Sequence, residues 1–332
     1  MTLEVSTEAR TLHAEALVWD MVWPWEPWVG NDFDKLPDFK AAGTDVLSVT
    51  LAGDNHNIHE AVTRVAETRS ILSRMTDTAA LCENTGDIRR AVDSGKLAVL
   101  LHFEGTRCFE RRLDMVEVFY KLGVKHTLLA FNNANSAAGG LMENDDAGLT
   151  AFGRELITEM ERVGMMLDLS HVGHRTAMEA IEHATKPCVF THSNVNSVFK
   201  HPRNLGDDEM KACASTGGLV GIASSSMYHS ASPSMAESLF EHLDHMVELL
   251  GPEHVGIGMD IIFNTAPMLD WMRSRTNEWP EAADPDWPGI RTITLGEIPE
   301  LVQCMVKAGY PEDAIRNILG GNYMRIGAAL WD

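Results

Sequence analysis

Four short, mostly apolar runs in this chain each stop at a residue that can bind a metal ion or move a proton. These terminal residues are Glu104, His171, His192 and Asp260. An apolar run of this length is typical of a buried parallel strand, and such strands deliver side chains to the mouth of an α/β barrel at their carboxyl ends. The pattern therefore predicts one site built from two histidines and two carboxylates.

The rest of the chain predicts the barrel that would bring these ends together. Eight candidate strands lie near residues 18, 48, 100, 128, 167, 190, 220 and 257, with helical patterns between most of them. This number and order are those of a (β/α)8 TIM-type barrel, in which the active site lies at the carboxyl ends of the strands. No compositional break divides the 332 residues, so we expect a single domain spanning 1–332.

Two segments interrupt the alternation. Residues 21–40 are rich in tryptophan and proline and predict a loop, because proline breaks regular structure. Residues 263–291 carry three tryptophans and four prolines and predict a long lid-like insertion. In the first segment the aromatic side chains either cover one end of the barrel or wall a substrate pocket, and the sequence leaves both alternatives open.

Composition excludes some partners and favours one compartment. The chain has 27 Lys and Arg against 48 Asp and Glu, a formal net charge of −21, which repels nucleic acid and anionic membrane surfaces. No signal peptide and no apolar segment of ~20 residues is apparent. The five cysteines are scattered and odd in number, which favours reduced thiols and a cytoplasmic protein.

The residue types at the four strand ends favour metal-assisted hydrolysis. Imidazole nitrogen and carboxylate oxygen are ligands that zinc accepts, so Glu104, His171 and His192 are candidate metal ligands. Asp260 would then take a proton from an attacking water and pass it to the leaving group. Each histidine taken alone could instead be a structural residue, and His102 could be an additional ligand because strand alternation places it on the same side as Glu104.

Three further residues are candidates for binding the substrate. Arg203 and Asn204 follow the strand near residue 190 in a turn-forming segment. The Arg203 guanidinium could bind a substrate carboxylate, or it could form a salt bridge with the acidic residues 207 and 208 that holds its own loop. Asn132 lies in the polar, glycine-rich loop that follows the strand near residue 128.

Several motifs resemble the membrane (renal) dipeptidase family, peptidase family M19 of the amidohydrolase superfamily. They are DLSHV at 168–172, THSN at 191–194, RNLGDD at 203–208, VGIGMD at 255–260 and ILGGNYMR at 318–325. The resemblance runs from about residue 97 to the C-terminus. It implies a metal-dependent barrel that cleaves dipeptides, including those with a D residue at the C-terminal side, and it suggests a homodimer.

The resemblance also implies roles for individual residues. Glu104 resembles the family's metal-bridging glutamate, and His171 and His192 resemble the two histidines of the second metal site. Asp260 resembles the catalytic aspartate, and Arg203 resembles the arginine that grips the substrate carboxylate.

Two departures from the family pattern modify this expectation. The family's first strand ends in a His-x-Asp metal pair that is absent from the stretch beginning at Asp20, and Phe131 stands where the family has an oxyanion-polarising histidine. The first departure predicts one zinc ion rather than two, or a first site rebuilt with Asp20 or His102. We therefore expect hydrolysis of dipeptides or a related small amide. The alternatives are a barrel that hydrolyses a non-peptide molecule and a non-catalytic barrel that binds a small ligand.

Overall fold

The computed structural model describes residues 3–143, 145–229, 234–276 and 279–332. A parallel β-sheet forms its centre, and nearly every residue of these strands is buried. The strands are β1 (Trp19–Pro24), β2 (Val46–Gly53), β3 (Ala79–Leu81), β4 (Leu97–Glu104), β5 (Val124–Leu128), β6 (Met166–Asp168), β7 (Cys188–Phe190), β8 (Leu219–Ile222) and β9 (Val255–Ile257).

Eight of these strands form a nearly closed barrel in the order β1-β2-β4-β5-β6-β7-β8-β9. The first and last strands meet where the Asp260 amide donates to the Val22 carbonyl over 3.1 Å. The short strand β3, which the sequence did not predict, lies off this path and pairs with the first residues of β4. The predicted (β/α)8 TIM-type barrel is therefore confirmed.

Helices follow most strands and cover the outside of the barrel. They are α1 (Thr7–Glu15), α2 (Leu36–Ala41), α3 (Ile58–Leu72), α4 (Thr85–Asp93), α5 (Asp114–Lys121), α6 (Ala151–Val163), α7 (His174–His183), α8 (Asp207–Ser215), α9 (Met235–Leu250), α10 (Thr265–Arg273), α11 (Ile298–Lys307), α12 (Glu312–Arg316) and α13 (Asn322–Trp331). Local signals set many of the ends. Asn57 and Glu60 form a capping box at the start of α3, and Gly164, with φ of 88°, ends α6.

The alternation of side chains along β4 determines which residues reach the site. Leu97, Val99 and other odd-numbered residues pack in the large core that includes side chains of the outer helices. Ala98 and Leu100 instead pack in a smaller cluster with residues of β1, β2, β6, β7 and β8 and of the helices α4 and α13, and the strand residues of this cluster fill the interior of the barrel. Since side chains alternate with a period of two, Glu104 continues this inner column and lies at its top, at the barrel mouth.

The segment 21–40 contains more regular structure than the sequence predicted. Strand β1 continues to Pro24, which pairs with Thr50 of β2, and α2 covers the end of the segment. A proline is tolerated here because it is the last residue of its strand and its missing N–H interrupts no further ladder. The Trp23 ring is fully buried and packs edge-on against Phe39, which anchors this part of β1 in the core.

The insertion 263–291 also differs from the expected irregular loop. It begins with the nine-residue helix α10, whose first turn is capped by the Asn264 side chain, and it includes a 3-10 turn at Pro280–Ala283. Residues 277 and 278 lie outside the described part. In the described ranges, no helix is both long enough and apolar enough to cross a bilayer.

Candidate active site

The carboxyl ends of four barrel strands converge at the mouth. Glu104 is the last residue of β4, and His171, His192 and Asp260 follow β6, β7 and β9 within two or three residues. The barrel therefore brings together the four strand-end residues that the sequence singled out. The two histidine side chains are almost completely buried, and the Glu104 side chain is partly buried.

Backbone strain is concentrated at the same place. In the described part of the chain five non-glycine residues have positive φ, and three of them are Asn132 (60°), His171 (66°) and Asp260 (53°). The other two, Glu110 and Arg111, line the cavity above the site. A left-handed conformation costs a residue with a Cβ about 1 kcal/mol or more, and such strain accumulates at functional sites. The strain therefore indicates this mouth independently of any motif.

The two histidine rings face each other through the same ring nitrogen. His171 Nε2 lies 2.9 Å from His192 Nε2, and His192 Nε2 lies 3.7 Å from Glu104 Oε1. Whether a hydrogen bond joins the two Nε2 atoms depends on which ring nitrogen of each histidine carries the hydrogen.

Asn132 determines the tautomer of His171. The Nδ1 atom of His171 lies 2.7 Å from the Asn132 amide oxygen, which can only accept a hydrogen bond. Nδ1 therefore carries the hydrogen, and Nε2 of His171 presents a lone pair.

Thr191 and Asp168 determine the tautomer of His192. The Thr191 hydroxyl donates its one hydrogen to the Asp168 carboxylate, 2.5 Å away, so it must accept from His192 Nδ1 at 2.8 Å. The Asp168 carboxylate is itself held by the backbone amides of Ser170 and Thr191. Nε2 of His192 therefore also presents a lone pair.

Two lone pairs at 2.9 Å repel each other unless a cation lies beside them. Burial is the main cause that lowers the pKa of His171 well below its ordinary value and the pKa of His192 to about 3, so both rings are neutral. Neutral imidazoles with oriented Nδ1–H groups are the form that binds metal ions. The residues present thus fit a divalent metal, with the histidine pair as the preformed part of the site.

The two carboxyl groups are placed in a region that disfavours negative charge. Burial, followed by the charge of Asp260, raises the pKa of Glu104 well above its ordinary value. Burial raises the pKa of Asp260 to about 6, opposed by the positive charge of Arg203. A bound cation would lower both values.

Asp20 and His102 are engaged by groups of the barrel itself. One Asp20 carboxylate oxygen accepts from the amides of Met259 and Val22, and the other has no hydrogen-bond partner in the described part of the chain. Burial raises the Asp20 pKa to about 7. His102 Nε2 lies 2.7 Å from the Thr50 hydroxyl, and its ring stacks on His126.

A second group of possible ligands was missed by the sequence reasoning. His174, Asp208 and Glu209 bring one ligand atom each within 4.8 Å of one another, and within the described ranges no other group of three meets this spacing. Glu104 therefore does not approach both site histidines this closely. His174 and Asp208 are exposed and the contacts are those of a surface ion pair, which distinguishes them from the buried pair at the mouth.

Arg203 holds the backbone directly after β7, where His192 lies, through hydrogen bonds. Its guanidinium donates to the Ser193 hydroxyl over 2.7 Å and to the His192 carbonyl over 2.6 Å, and it lies over the Tyr228 ring. The alternative of a loop-pinning salt bridge with residue 207 or 208 is not what the described residues show, because Asp207 pairs with His245. The Nε of Arg203 has no partner there.

Two cavities meet at His171. The larger, of about 1140 Å³, is lined by Glu104, Asp260 and Phe131, and the smaller, of about 600 Å³, is lined by Arg203 and Asn204. Asn204 donates to two backbone carbonyls, and its own amide oxygen is unpaired within the described part. Asn132 lines neither cavity and holds His171 instead, so its observed contact is with a candidate ligand.

The supporting residues Asp168, Thr191 and Ser193 were not identified from the sequence as parts of the site. A signal for them was present, since each is a polar residue inside or directly after an apolar strand, beside a candidate ligand. A buried polar side chain in such a position requires a partner, and the neighbouring histidine is the group at hand.

Comparisons with known proteins point to one family. The family model for membrane dipeptidase (peptidase family M19) matches residues 15–269. Dipeptidase verJ of Clonostachys rogersoniana is 27% identical over 261 residues, which cover 77% of this chain and 61% of that relative. The chain thus spans less than two thirds of the length of verJ.

Solved structures show the same fold. An amidohydrolase from Pseudomonas aeruginosa superposes with a TM-score of 0.87 at 28% identity, covering 97% of this chain and 99% of that one. A metallo peptidase from Rhodobacter sphaeroides, liganded with a phosphinate mimic of the dipeptide L-Ala-D-Ala, superposes with a TM-score of 0.78 at 19% identity, covering 95% and 99%.

Proposed function

Since the chain belongs to the membrane dipeptidase family, peptidase family M19, and is therefore a metallohydrolase of amide bonds, we propose that it binds one zinc ion and cleaves dipeptides or a closely related small amide. The observation that carries this proposal is the buried histidine pair, whose two Nε2 lone pairs face each other at 2.9 Å. The Rhodobacter relative, which holds a dipeptide mimic, supports the substrate class.

His171, His192 and Glu104 are the residues we propose to hold the metal. Zinc bound there would supply a Lewis acid and would lower the pKa of a coordinated water toward neutrality. Asn132 and Thr191 keep the two rings in the tautomer that binds a metal, which they do through the hydrogen bonds at Nδ1. At the end of β1, the side chains of Val22 and Pro24 offer no ligand atom, which supports a single ion.

Asp260 is the residue we propose to move the proton. It lies at the end of β9 and lines the large cavity together with Glu104. Because its pKa is raised to about 6, it is largely ionised at neutral pH yet basic enough to accept a proton from the attacking water. It would then return that proton to the leaving amine.

We propose that Arg203 binds the substrate carboxylate from the smaller cavity, and that the amide oxygen of Asn204, which can only accept, binds an N–H group of the substrate. The Nε of Arg203 and the amide oxygen of Asn204 lack partners in the described part of the chain, whereas the rest of each side chain is fixed by the loop. A fixed guanidinium with a free N–H is suited to a carboxylate.

A second candidate function is the hydrolysis of a non-peptide substrate such as a lactone or cyclic amide. It is favoured by Phe131, whose ring stacks on His171 at 4.2 Å and donates no hydrogen bond to a developing oxyanion. A substrate with a better leaving group needs that donor less than a peptide does.

Elemental analysis combined with a substrate panel tests the proposal. We expect about one zinc per chain, and hydrolysis of at least one dipeptide by the zinc-loaded protein. Replacing His171 with alanine is expected to remove both properties, whereas His174→Ala, in the exposed second group, is expected to change neither. A zinc-loaded protein that cleaves only non-peptide substrates would favour the second candidate, and one that binds no metal would overturn both.

A further inference from the structure

The large cavity offers more room than the two residues of a dipeptide require. Its volume is about 1140 Å³, which exceeds the ~300–1,000 Å³ of most small-molecule sites. Glu104 and Asp260 line it together with the ends of β1 and β2 and with loops above them. The side chains that line this outer part therefore determine which chemical groups the acyl side of the substrate can carry.

Tryptophans form one wall of the cavity. Trp28 lies 6.0 Å from Trp271, centroid to centroid, and Trp271 lies 6.2 Å from Trp279. The rings come from the segment after β1 and from the insertion that begins with α10, and all three line the cavity. An aromatic wall of this kind binds the apolar body of a ligand.

Arginines lie on the same cavity without carboxylate partners. Arg107 and Arg111 come from the loop after β4, and Arg275 comes from the insertion, where its guanidinium lies 4.5 Å from the Trp271 ring centroid. None of the three forms an ion pair within the described residues, whereas the adjacent Arg112, which does not line the cavity, pairs with Asp114 at 2.6 Å. In a protein with a net charge of −21, these three guanidinium groups thus line the cavity without a direct carboxylate partner.

The acidic groups on the outer cavity are largely engaged elsewhere. Glu26 accepts from the Trp28 indole and lies 3.6 Å from Arg64. Asp54 accepts from the amides of Phe131 and Arg107 and from the Asn135 side chain. Among the described acidic residues that line the cavity above Glu104 and Asp260, Glu110 forms no hydrogen bond or ion pair of this kind through its side chain. These hydrogen bonds do not neutralise the carboxylates, but they direct the oxygens of Glu26 and Asp54 toward protein donors, whereas the guanidinium groups still have N–H groups with which to bind a ligand.

We propose that the acyl side of the substrate carries a carboxylate that Arg107 and Arg111 bind, on a body that lies against the tryptophan wall. The inference rests on the proposed amide hydrolysis and specifies its substrate class. The carboxylate could be the side chain of an acidic N-terminal residue, or the far end of a dicarboxylic acyl group that has no amine. Both sources present the same group to the arginines, since they differ only beside the scissile bond.

Two matched substrate pairs separate these sources. The first pair is glutamyl-alanine and glutaminyl-alanine, and the second is glutaryl-alanine and its terminal amide, glutaramoyl-alanine. Within each pair the only change is carboxylate to carboxamide. We expect kcat/KM to be about tenfold higher for the carboxylate member, the effect of one or two charge-assisted hydrogen bonds. The pair with the faster members identifies whether the natural acyl group carries an amine.

Arg111→Gln is the variant that tests the assignment, because no described hydrogen bond or ion pair depends on the Arg111 side chain. It is expected to reduce the carboxylate-to-carboxamide ratio from about ten to about three in the preferred pair, because Arg107 still binds the carboxylate. Arg112→Gln, one residue further on the same loop, is the control and is expected to leave the ratio unchanged. Turnover of the carboxamide members shows that each variant is folded and active.

The possible failures are distinguishable. If the zinc-loaded protein hydrolyses none of the four substrates and no other dipeptide, the proposed function itself is wrong. If it hydrolyses them with equal kcat/KM, or if Arg111→Gln keeps the ratio at about ten, the carboxylate subsite is wrong while the amide hydrolase stands.

Discussion

The end of β1 and the ends of β6 and β7 face the same barrel mouth but are built in opposite ways. After β6 and β7, each histidine has its Nδ1 fixed by a neighbour and its Nε2 turned toward the mouth. At β1, the carboxylate of Asp20 is turned back to the amides of Met259 and Val22, and the strand ends at Pro24. A ligand residue therefore needs a supporting partner to present its lone pair, and β1 lacks this arrangement.

The largest effect is expected from removing one histidine of the pair. His192→Ala leaves a single imidazole, which cannot hold zinc at micromolar concentrations with Glu104 alone. We expect the zinc content to fall from about one per chain to near zero and kcat/KM to fall by about 10³-fold or more. Elemental analysis and hydrolysis of the best dipeptide measure this. A variant that keeps both its zinc and its activity would show that the histidine pair does not bind the metal.

Asp260→Asn is expected to separate proton transfer from metal binding. The amide cannot accept a proton, so kcat should fall by about 10²- to 10⁴-fold while the zinc content stays the same. In the wild type, the activity requires the ionised carboxylate, whose pKa is raised by burial to about 6. Because bound zinc lowers this pKa, the acidic limb of the zinc-loaded protein should lie at or below about pH 6, and a limb centred well above pH 6 would contradict this role.

Thr191→Val is expected to weaken the support of one ligand without removing it. Valine keeps the shape of the side chain but cannot accept from His192 Nδ1 or donate to Asp168. We expect zinc affinity to fall by about 10- to 100-fold, as for other groups that orient metal ligands. Thr191→Ser should restore the affinity in competition with a chelator, because it restores the hydroxyl. Failure of serine to do so would assign the loss to packing.

A substitution in β1 is expected to have the smallest effect on zinc binding and to change the pH dependence of stability instead. Asp20 has a folded-state pKa of about 7, above its unfolded value, so its ionisation destabilises the fold as the pH rises from about 4 to 7. Asp20→Asn should remove this pH dependence, which amounts to a few kcal/mol at ~1.4 kcal/mol per pKa unit. Denaturant titrations at pH 5 and 8 measure it. Loss of zinc in this variant would show instead that Asp20 rebuilds the first metal site.

The strand ends could be predicted from the sequence because the rule that places them is local. Apolar runs of strand length, each stopped by a chemically active residue, are sufficient to predict a barrel with its site at one mouth. Glu104 illustrates this, since the alternation along β4 alone places it above Ala98 and Leu100 in the barrel interior.

The supporting contacts could not be predicted because they join residues far apart in the chain. Asn132 and His171 are 39 residues apart, and Asp168 and Thr191 are 23 apart. Their pairing depends on strand register, which periodicity does not specify across a barrel. The same applies to the end of β1, where the prolines favoured a loop although burial of Trp23 keeps the chain in the sheet.

Anomalous X-ray scattering at the zinc edge, from crystals of the zinc-loaded protein, tests the central claim most directly. One peak per chain is expected, within bonding distance of Nε2 of both His171 and His192. A peak at His174, Asp208 and Glu209 alone, a second peak beside Asp20, or no peak at the histidine pair would contradict it.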